Sequence, residues 1–273
     1  MNTPLNTRLP TCLAALAAQK RKAFVAFIMA GDPDLARSQA IMDGLPEAGA
    51  DIIELGMPFT DPMADGAAIQ RAGLRALKAG QTLAKTLAMV AAFRQHNQKT
   101  PVLLMGYYNP IYHYGVARFL KDAATAGIDG LIMVDLPPEE DAELCLPATA
   151  CGLHFIRLAT PTSDAKRLQQ ILPHASGFLY YVSIAGVTGT ATANSATVKA
   201  AVQQLRDATA LPIMIGFGIR DTASVAQFAA IGDGVVVGSA LVDEIGNNLE
   251  TSPEKIVTKT LSLVQKLAGA AHK

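Results

Sequence analysis

The chain has 273 residues, half of them apolar, a length that suits one large α/β domain or two small ones. Lys plus Arg number 23 and Asp plus Glu number 23, and a neutral chain without a basic cluster offers no electrostatic footprint for nucleic acid. No apolar run nears the roughly 18 residues of a membrane span, so a cytoplasmic protein is expected.

The first element is LPTCLAALAAQ, where Leu9, Leu13 and Leu16 recur at helical spacing. An amphipathic helix is expected there rather than a signal peptide, since no basic stretch precedes it and the apolar part is short. Strands and helices then alternate to the C-terminus. The expected strands are AFVAFIM near residue 26, DIIEL at 51, VLLMG at 102 and GLIMVD at 130. They continue with LHFIRLA at 153, FLYYVS at 178, PIMIGF at 212 and GVVVG at 234. Such continuous apolar runs suit parallel strands buried on both faces. The intervening segments, such as SQAIMDGLPEAG and SDAKRLQQILPHA, are apolar at i, i+3 and i+4.

Eight strands alternating with helices predict a single (β/α) barrel of the TIM type over 1–273, with an extra N-terminal helix. An open doubly wound sheet is disfavoured, because MAGDPD stands where its glycine fingerprint would follow the first strand. Three junctions repeat: AGADIIELG from 48, AGIDGLIMVD from 126 and IGDGVVVG from 231. Gly49, Gly127 and Gly232 sit in them where a helix end wants a left-handed residue. Ser163, Thr222, and Ser252 with Pro253 mark expected helix starts.

Cys12, Cys145 and Cys151 form no C-x-x-C pair, and the five histidines are scattered. Packing thiols and no metal site are expected. In a barrel, chemistry collects at the C-terminal strand ends. Asp32, Glu54, Asp61, Asp65, Tyr107, Tyr108, Asn109, Asp135, Tyr180, Tyr181 and Ser183 stand there. Glu54 follows Ile52 and Ile53 and points opposite to Ile53 and Leu55 by strand alternation. Facing the mouth, it would be desolvated and carry a proton near neutral pH. Asp65 reads equally well as an N-cap of the next helix. Asp32, Asp61 and Asp135, each close to a Pro, read as turn residues. Glycines at 187–189, 216–218 and 238–239 end three consecutive strands and suggest a phosphate cradle of backbone N–H groups. The hydroxyl-rich AGVTGTATANSATV from 185 reads as a lid.

FIMAGDPD, ELGMPFTDPMADG, YYVSIAGVTG, GFGIRD and VVVGSALV occur in the order and spacing of one family. Together they resemble the tryptophan synthase α chain over essentially the whole length. The resemblance implies a lyase that cleaves indole-3-glycerol phosphate into indole and glyceraldehyde 3-phosphate, in tryptophan biosynthesis. It implies Glu54 as general acid–base, Asp65 as partner of the indole N–H, and Tyr180 beside the glutamate. Phe27 and Ile69 would contact the ring, and Gly189, Gly218, Gly238 and Ser239 the phosphate. Thr188 would link the lid, about 184–197, to the catalytic loop, about 56–70. No cofactor is implied in this chain. A pyridoxal-phosphate β subunit is implied as partner in an α2β2 assembly, with Asp61 at the interface. Ala67 and Ile184 depart from the family, which commonly has Pro and in some members Arg there. Two rivals are another phosphate-binding barrel enzyme and a non-catalytic barrel that activates a β subunit. The first would be expected to end a strand on Lys or Cys; the second, to have lost Glu54 or Asp65.

Overall fold

In the computed structural model, which describes residues 7–182, 195–216 and 218–272, strands and helices alternate in chain order. Helix α1 (Arg8–Ala18) precedes β1 (Ala23–Met29), α2 (Leu35–Gly44) and β2 (Ile52–Gly56). Next come α3 (Ala67–Lys78), α4 (Leu83–Arg94), β3 (Val102–Gly106), α5 (Tyr108–Tyr114) and α6 (Val116–Ala126). The middle holds β4 (Gly130–Met133), α7 (Cys145–Ala150), β5 (His154–Phe155), β6 (Arg157–Ala159), α8 (Ala165–Ile171) and β7 (Leu179–Val182). The last part is α9 (Ser195–Ala208), β8 (Ile213–Gly216), α10 (Thr222–Ala229), β9 (Gly234–Val237), α11 (Ser239–Asn247) and α12 (Ile256–Ala271).

All strand pairs are parallel, in the order β5-β4-β3-β2-β1-β9-β8-β7-β6. The count is nine where eight were expected. The run LHFIRLA is divided at Ile156: His154 and Phe155 pair with β4, and Arg157 to Ala159 pair with β7. The Ile156 N–H still donates to the Leu131 carbonyl at 2.9 Å. The chain thus changes neighbour within one strand position, which brings the sheet's two ends together in a nearly closed TIM-type barrel.

Alternation sorts the side chains into two cores. Phe24, Ala26 and Ile28 of β1 and Ile53 and Leu55 of β2 face the helices. Val25, Ile52, Leu103, Ile132, Ile156, Phe178, Tyr180, Met214 and Val236 fill the lumen, and Leu9 and Leu16 of α1 pack against their lower end. The amphipathic N-terminal helix is therefore the floor of the barrel.

The repeated junctions have a shared construction at that floor. Asp51, Asp129 and Asp233 each accept a backbone N–H from the preceding strand, of Phe24, Val102 and Ile213 respectively. Each returns its own N–H to the carbonyl of the same residue. Ser176 does likewise with Phe155, through its hydroxyl. Gly49 and Gly127 have positive φ, 105° and 89°. Gly232 does not; it is small because a Cβ there would come within 3.0 Å of the Ile213 carbonyl oxygen.

Two caps fall one residue from their expected places. Asp164, not Ser163, caps α8, and Asp221, not Thr222, caps α10 through a reciprocal bond with Ser224. Pro253 opens a 3-10 turn with Ser252 before it, as expected. Burial pushes the Cys12 thiol up to about 11 and Cys145 to about 12, as befits packing groups. Among the described residues no helix is long and apolar enough to cross a membrane, and no three His, Cys, Asp or Glu side chains gather to hold a metal ion.

Candidate active site

A cavity of about 110 Å³ opens at the C-terminal ends of the strands. Phe27, Glu54, Asp65, Ile69, Tyr180, Gly218, Gly238 and Ser239 all line it. Three strands, three loops and two helices thus deliver the expected residues to one place. Thr188 and Gly189, with most of the expected lid, lie outside the described residues. Asp61 does not line the cavity; it is exposed and takes a hydrogen bond from the Thr60 hydroxyl.

Glu54 sits on β2 between Phe27 of β1 and Leu103 of β3. Its flanking Ile53 and Leu55 pack outward, so alternation turns the carboxyl into the lumen. The residue is 1% exposed, and Oε2 has no hydrogen-bond partner among the described residues. Burial, with Asp65 nearby adding repulsion, pushes its pKa up to about 8. A carboxyl group in a dry apolar setting keeps its proton at neutral pH.

Asp65 is not the helix cap. Gly66 occupies that position without any side-chain cap bond, and α3 starts at Ala67. The Asp65 carboxylate instead accepts a hydrogen bond from the Tyr107 hydroxyl, and its backbone carbonyl accepts one from Gln70 at 2.8 Å. Burial raises the Asp65 pKa to about 6, against the lowering effect of the Tyr107 bond. The two carboxyls are therefore set apart, one protonated and one ionised near pH 7, a split suited to distinct acid and charge-stabilising roles.

Tyr107 was visible in the sequence only as one strand-end residue among several. Its hydroxyl also accepts the Ala64 N–H at 2.9 Å, and its ring lies 5.4 Å from that of Phe59. It thereby fastens the loop that carries Asp65. Alternation of strands could not reveal this, because the contact spans 43 residues. Asp135 accepts the Tyr108 N–H at 2.9 Å, a bond from a residue 27 positions away rather than one within its own turn. Asp32 stands in a turn, its N–H donating to the Met29 carbonyl at 3.2 Å, and it is also 1% exposed and takes two hydrogen bonds from Arg75 of α3, at 2.7 and 2.8 Å.

The glycines make room as well as possible donors. A Cβ on Gly216 would lie 2.3 Å from the Tyr180 hydroxyl oxygen, so that glycine gives Tyr180 its seat. A Cβ on Gly56 would meet the Phe27 ring at 2.7 Å, and one on Gly238 would come within 3.2 Å of Phe27. Gly218, with φ +76°, and the N-terminus of α11 at Ser239 also line the cavity. Buried Tyr180 is held well above the ordinary phenol range, first by burial and then by Glu54. Its hydroxyl stays protonated.

Comparison with known proteins is consistent along the whole chain. The family model of the tryptophan synthase alpha chain matches residues 13–272. The tryptophan synthase alpha chain of Legionella pneumophila subsp. pneumophila is 39% identical, with 99% of this chain and 97% of that one covered and a TM-score of 0.89. The alpha subunit from L. pneumophila str. Paris is 40% identical, covering 99% and 98%, with a TM-score of 0.91. A chain of M. tuberculosis tryptophan synthase in an aminoacrylate- and BRD0059-bound form is 32% identical over 99% and 100%, with a TM-score of 0.87. The chain belongs to the tryptophan synthase alpha chain family, lyases of tryptophan biosynthesis that carry no cofactor themselves and work with a pyridoxal-phosphate β subunit.

Proposed function

We propose that this chain, as one barrel domain acting in the cytoplasm, cleaves indole-3-glycerol phosphate to indole and glyceraldehyde 3-phosphate. The observation that carries the reading is the pair of carboxyls in one apolar cavity, Glu54 with a raised pKa of about 8 and Asp65 at about 6. Protonated Glu54 donates to the ring carbon that bears the glycerol chain. The ring becomes an indolenine cation, and ionised Asp65, hydrogen-bonded to the ring N–H, stabilises that charge in a low-dielectric site. The Glu54 carboxylate then takes the proton of the neighbouring hydroxyl. As the aldehyde forms, the carbon–carbon bond breaks and its electrons return to the ring. Glu54 ends protonated, as it began.

Phe27 and Ile69 give the indole its apolar walls, and Tyr180 packs against the glutamate's side of the lumen. The phosphate goes to Gly218, Gly238 and Ser239, where the N-terminus of α11 favours an anion. The lid would add Gly189 to this and tie itself to the catalytic loop through Thr188. Indole passes to the β subunit of an α2β2 assembly, which Asp61 and its exposed loop contact.

Indole release from wild type and Glu54→Gln, each with and without β subunit, tests the reading. Loss of one general acid–base costs about 10²–10⁴-fold. Wild-type protein that releases no indole even with its partner would overturn it. Asp61→Ala should weaken activation by the β subunit more than basal cleavage; equal loss of both would place Asp61 within the site instead.

A further inference from the structure

Among the described residues that line the cavity there is no Lys or Arg. A phosphate dianion at Ser239 would then face only neutral donors and the partial charge of a helix end, about half a unit. Two cations stand just outside. Arg71 lies two residues beyond the cavity residue Ile69 on α3, and Arg220 two residues beyond Gly218. Both reach the same carboxylate on α11: Arg71 Nη2 meets Asp243 Oδ1 at 2.9 Å, and Arg220 Nη2 meets Asp243 Oδ2 at 2.5 Å.

Asp243 follows Ser239 by four residues, which puts it on the same face of α11, one turn or about 6 Å along. It is only 21% exposed, whereas the arginine side chains are 58% and 51% exposed. The carboxylate therefore holds one nitrogen of each guanidinium and leaves their other N–H donors toward solvent at the rim. Of the other charges near these elements, Asp221 is engaged in capping α10, and Asp32 and Arg75 neutralise each other. Two guanidiniums on one carboxylate give the triad itself one net positive charge, while Asp221, next to Arg220 in sequence, keeps its own negative charge, its pKa lowered by the Ser224 bonds.

We propose that Arg71 and Arg220, held by Asp243, are specificity-determining residues that recognise the phosphate monoester end of the substrate. The proposal rests on the phosphate placement given above. Planar guanidinium groups suit phosphate oxygens through charge-assisted hydrogen bonds. Their carboxylate anchor keeps the two long side chains from having to be ordered on binding.

The test measures binding of two probes separately, glycerol 3-phosphate and uncharged indole, to wild type, Arg71→Gln, Arg220→Gln and the double variant. Arg118→Gln, on α6 with a side chain outside the cavity lining, is the control. Each single variant is expected to weaken the phosphate ester about tenfold, with indole binding unchanged and the control like wild type. The phosphate-binding difference should shrink as salt rises from about 0.01 M to about 1 M, where screening shortens from about 30 Å to about 3 Å. Unchanged phosphate binding in the double variant would overturn the proposal while leaving the phosphate placement intact. Equal weakening of both probes would also overturn it, by showing a structural role. Wild type that binds indole but no phosphate ester would overturn the phosphate placement itself.

Discussion

Val102 and Asp129 bind each other through both backbone hydrogen-bonding groups of Val102. The Val102 N–H donates to Asp129 Oδ2 at 2.7 Å, and the Asp129 N–H donates to the Val102 carbonyl at 2.9 Å. Arg94 and Arg8 each add a 2.7 Å ion pair to the same carboxylate, whose side chain is fully buried.

Asp129→Ala would orphan the Val102 N–H and leave the 7%-exposed Arg94 side chain without its counter-charge. A loss of about 3–5 kcal/mol in urea unfolding is expected. Ser176→Ala removes one neutral bond, to the Phe155 N–H, and should lose about 1 kcal/mol. Equal losses would show that the arginines contribute nothing to the Asp129 position.

The pH profile of indole formation follows from the carboxyl pair. Glu54 must begin protonated, so kcat/KM should fall as pH rises through about 8. Asp65 must be ionised, so the rate should also fall as pH drops through about 6. A plateau between the two limbs is expected, reporting the free enzyme. A rate still climbing above pH 8 would contradict Glu54 as the acid.

Glu54→Gln should separate activity from stability. Folded Glu54 holds its proton up to about 8, whereas its ordinary value is 4.5. The native state therefore loses stability as pH climbs from 4.5 toward 8. Glutamine cannot ionise, so the variant should gain on the order of 4 kcal/mol over wild type near pH 8 relative to pH 4. Parallel stability–pH curves for the two proteins would rule out the raised pKa.

Tyr107→Phe removes the hydroxyl that holds the Asp65 pKa down and accepts the Ala64 N–H. The acidic limb of the profile should move upward, and the rate at neutral pH should fall about three- to tenfold. An unmoved limb would mean that the hydroxyl does not tune Asp65.

Gly216→Ala would drive a methyl group into the Tyr180 ring, whose hydroxyl oxygen lies 2.3 Å from the added atom. Overpacking of about 1–3 kcal/mol is expected, together with a fall in kcat as the ring shifts toward Glu54. Unchanged melting and unchanged kcat would show that the ring has free space to move into.

The barrel was legible because its signal is periodic. Apolar runs such as AFVAFIM and GVVV are buried along their whole length, as both faces of a parallel strand must be. Glu54 was legible for the same reason: one acid in an apolar strand has only two directions, and Ile53 and Leu55 take the other. What depends on contact at long range was not. The role of Asp65 needed Tyr107, 42 positions on, and the burial of Asp32 needed Arg75, 43 positions on. The division of the fifth strand at Ile156 was hidden too, because it reflects which neighbour each half pairs with rather than any local preference. Gly216 and Gly232 illustrate a related blind spot, since crowding by a distant atom leaves no mark on the local pattern.

The four floor junctions join β1 to β2, β3 to β4, β5 to β7 and β8 to β9, all on the side away from the cavity. The ring is thus tied at one rim by bonds in which the cavity loops take no part. The exposed tip of the loop after β2, with Met63 80% exposed, can be exchanged or reshaped around a new substrate while the ring beneath keeps its form. The same separation lets a scaffold of this kind acquire altered chemistry by small steps, each one surviving because folding and catalysis draw on different ends of the same strands.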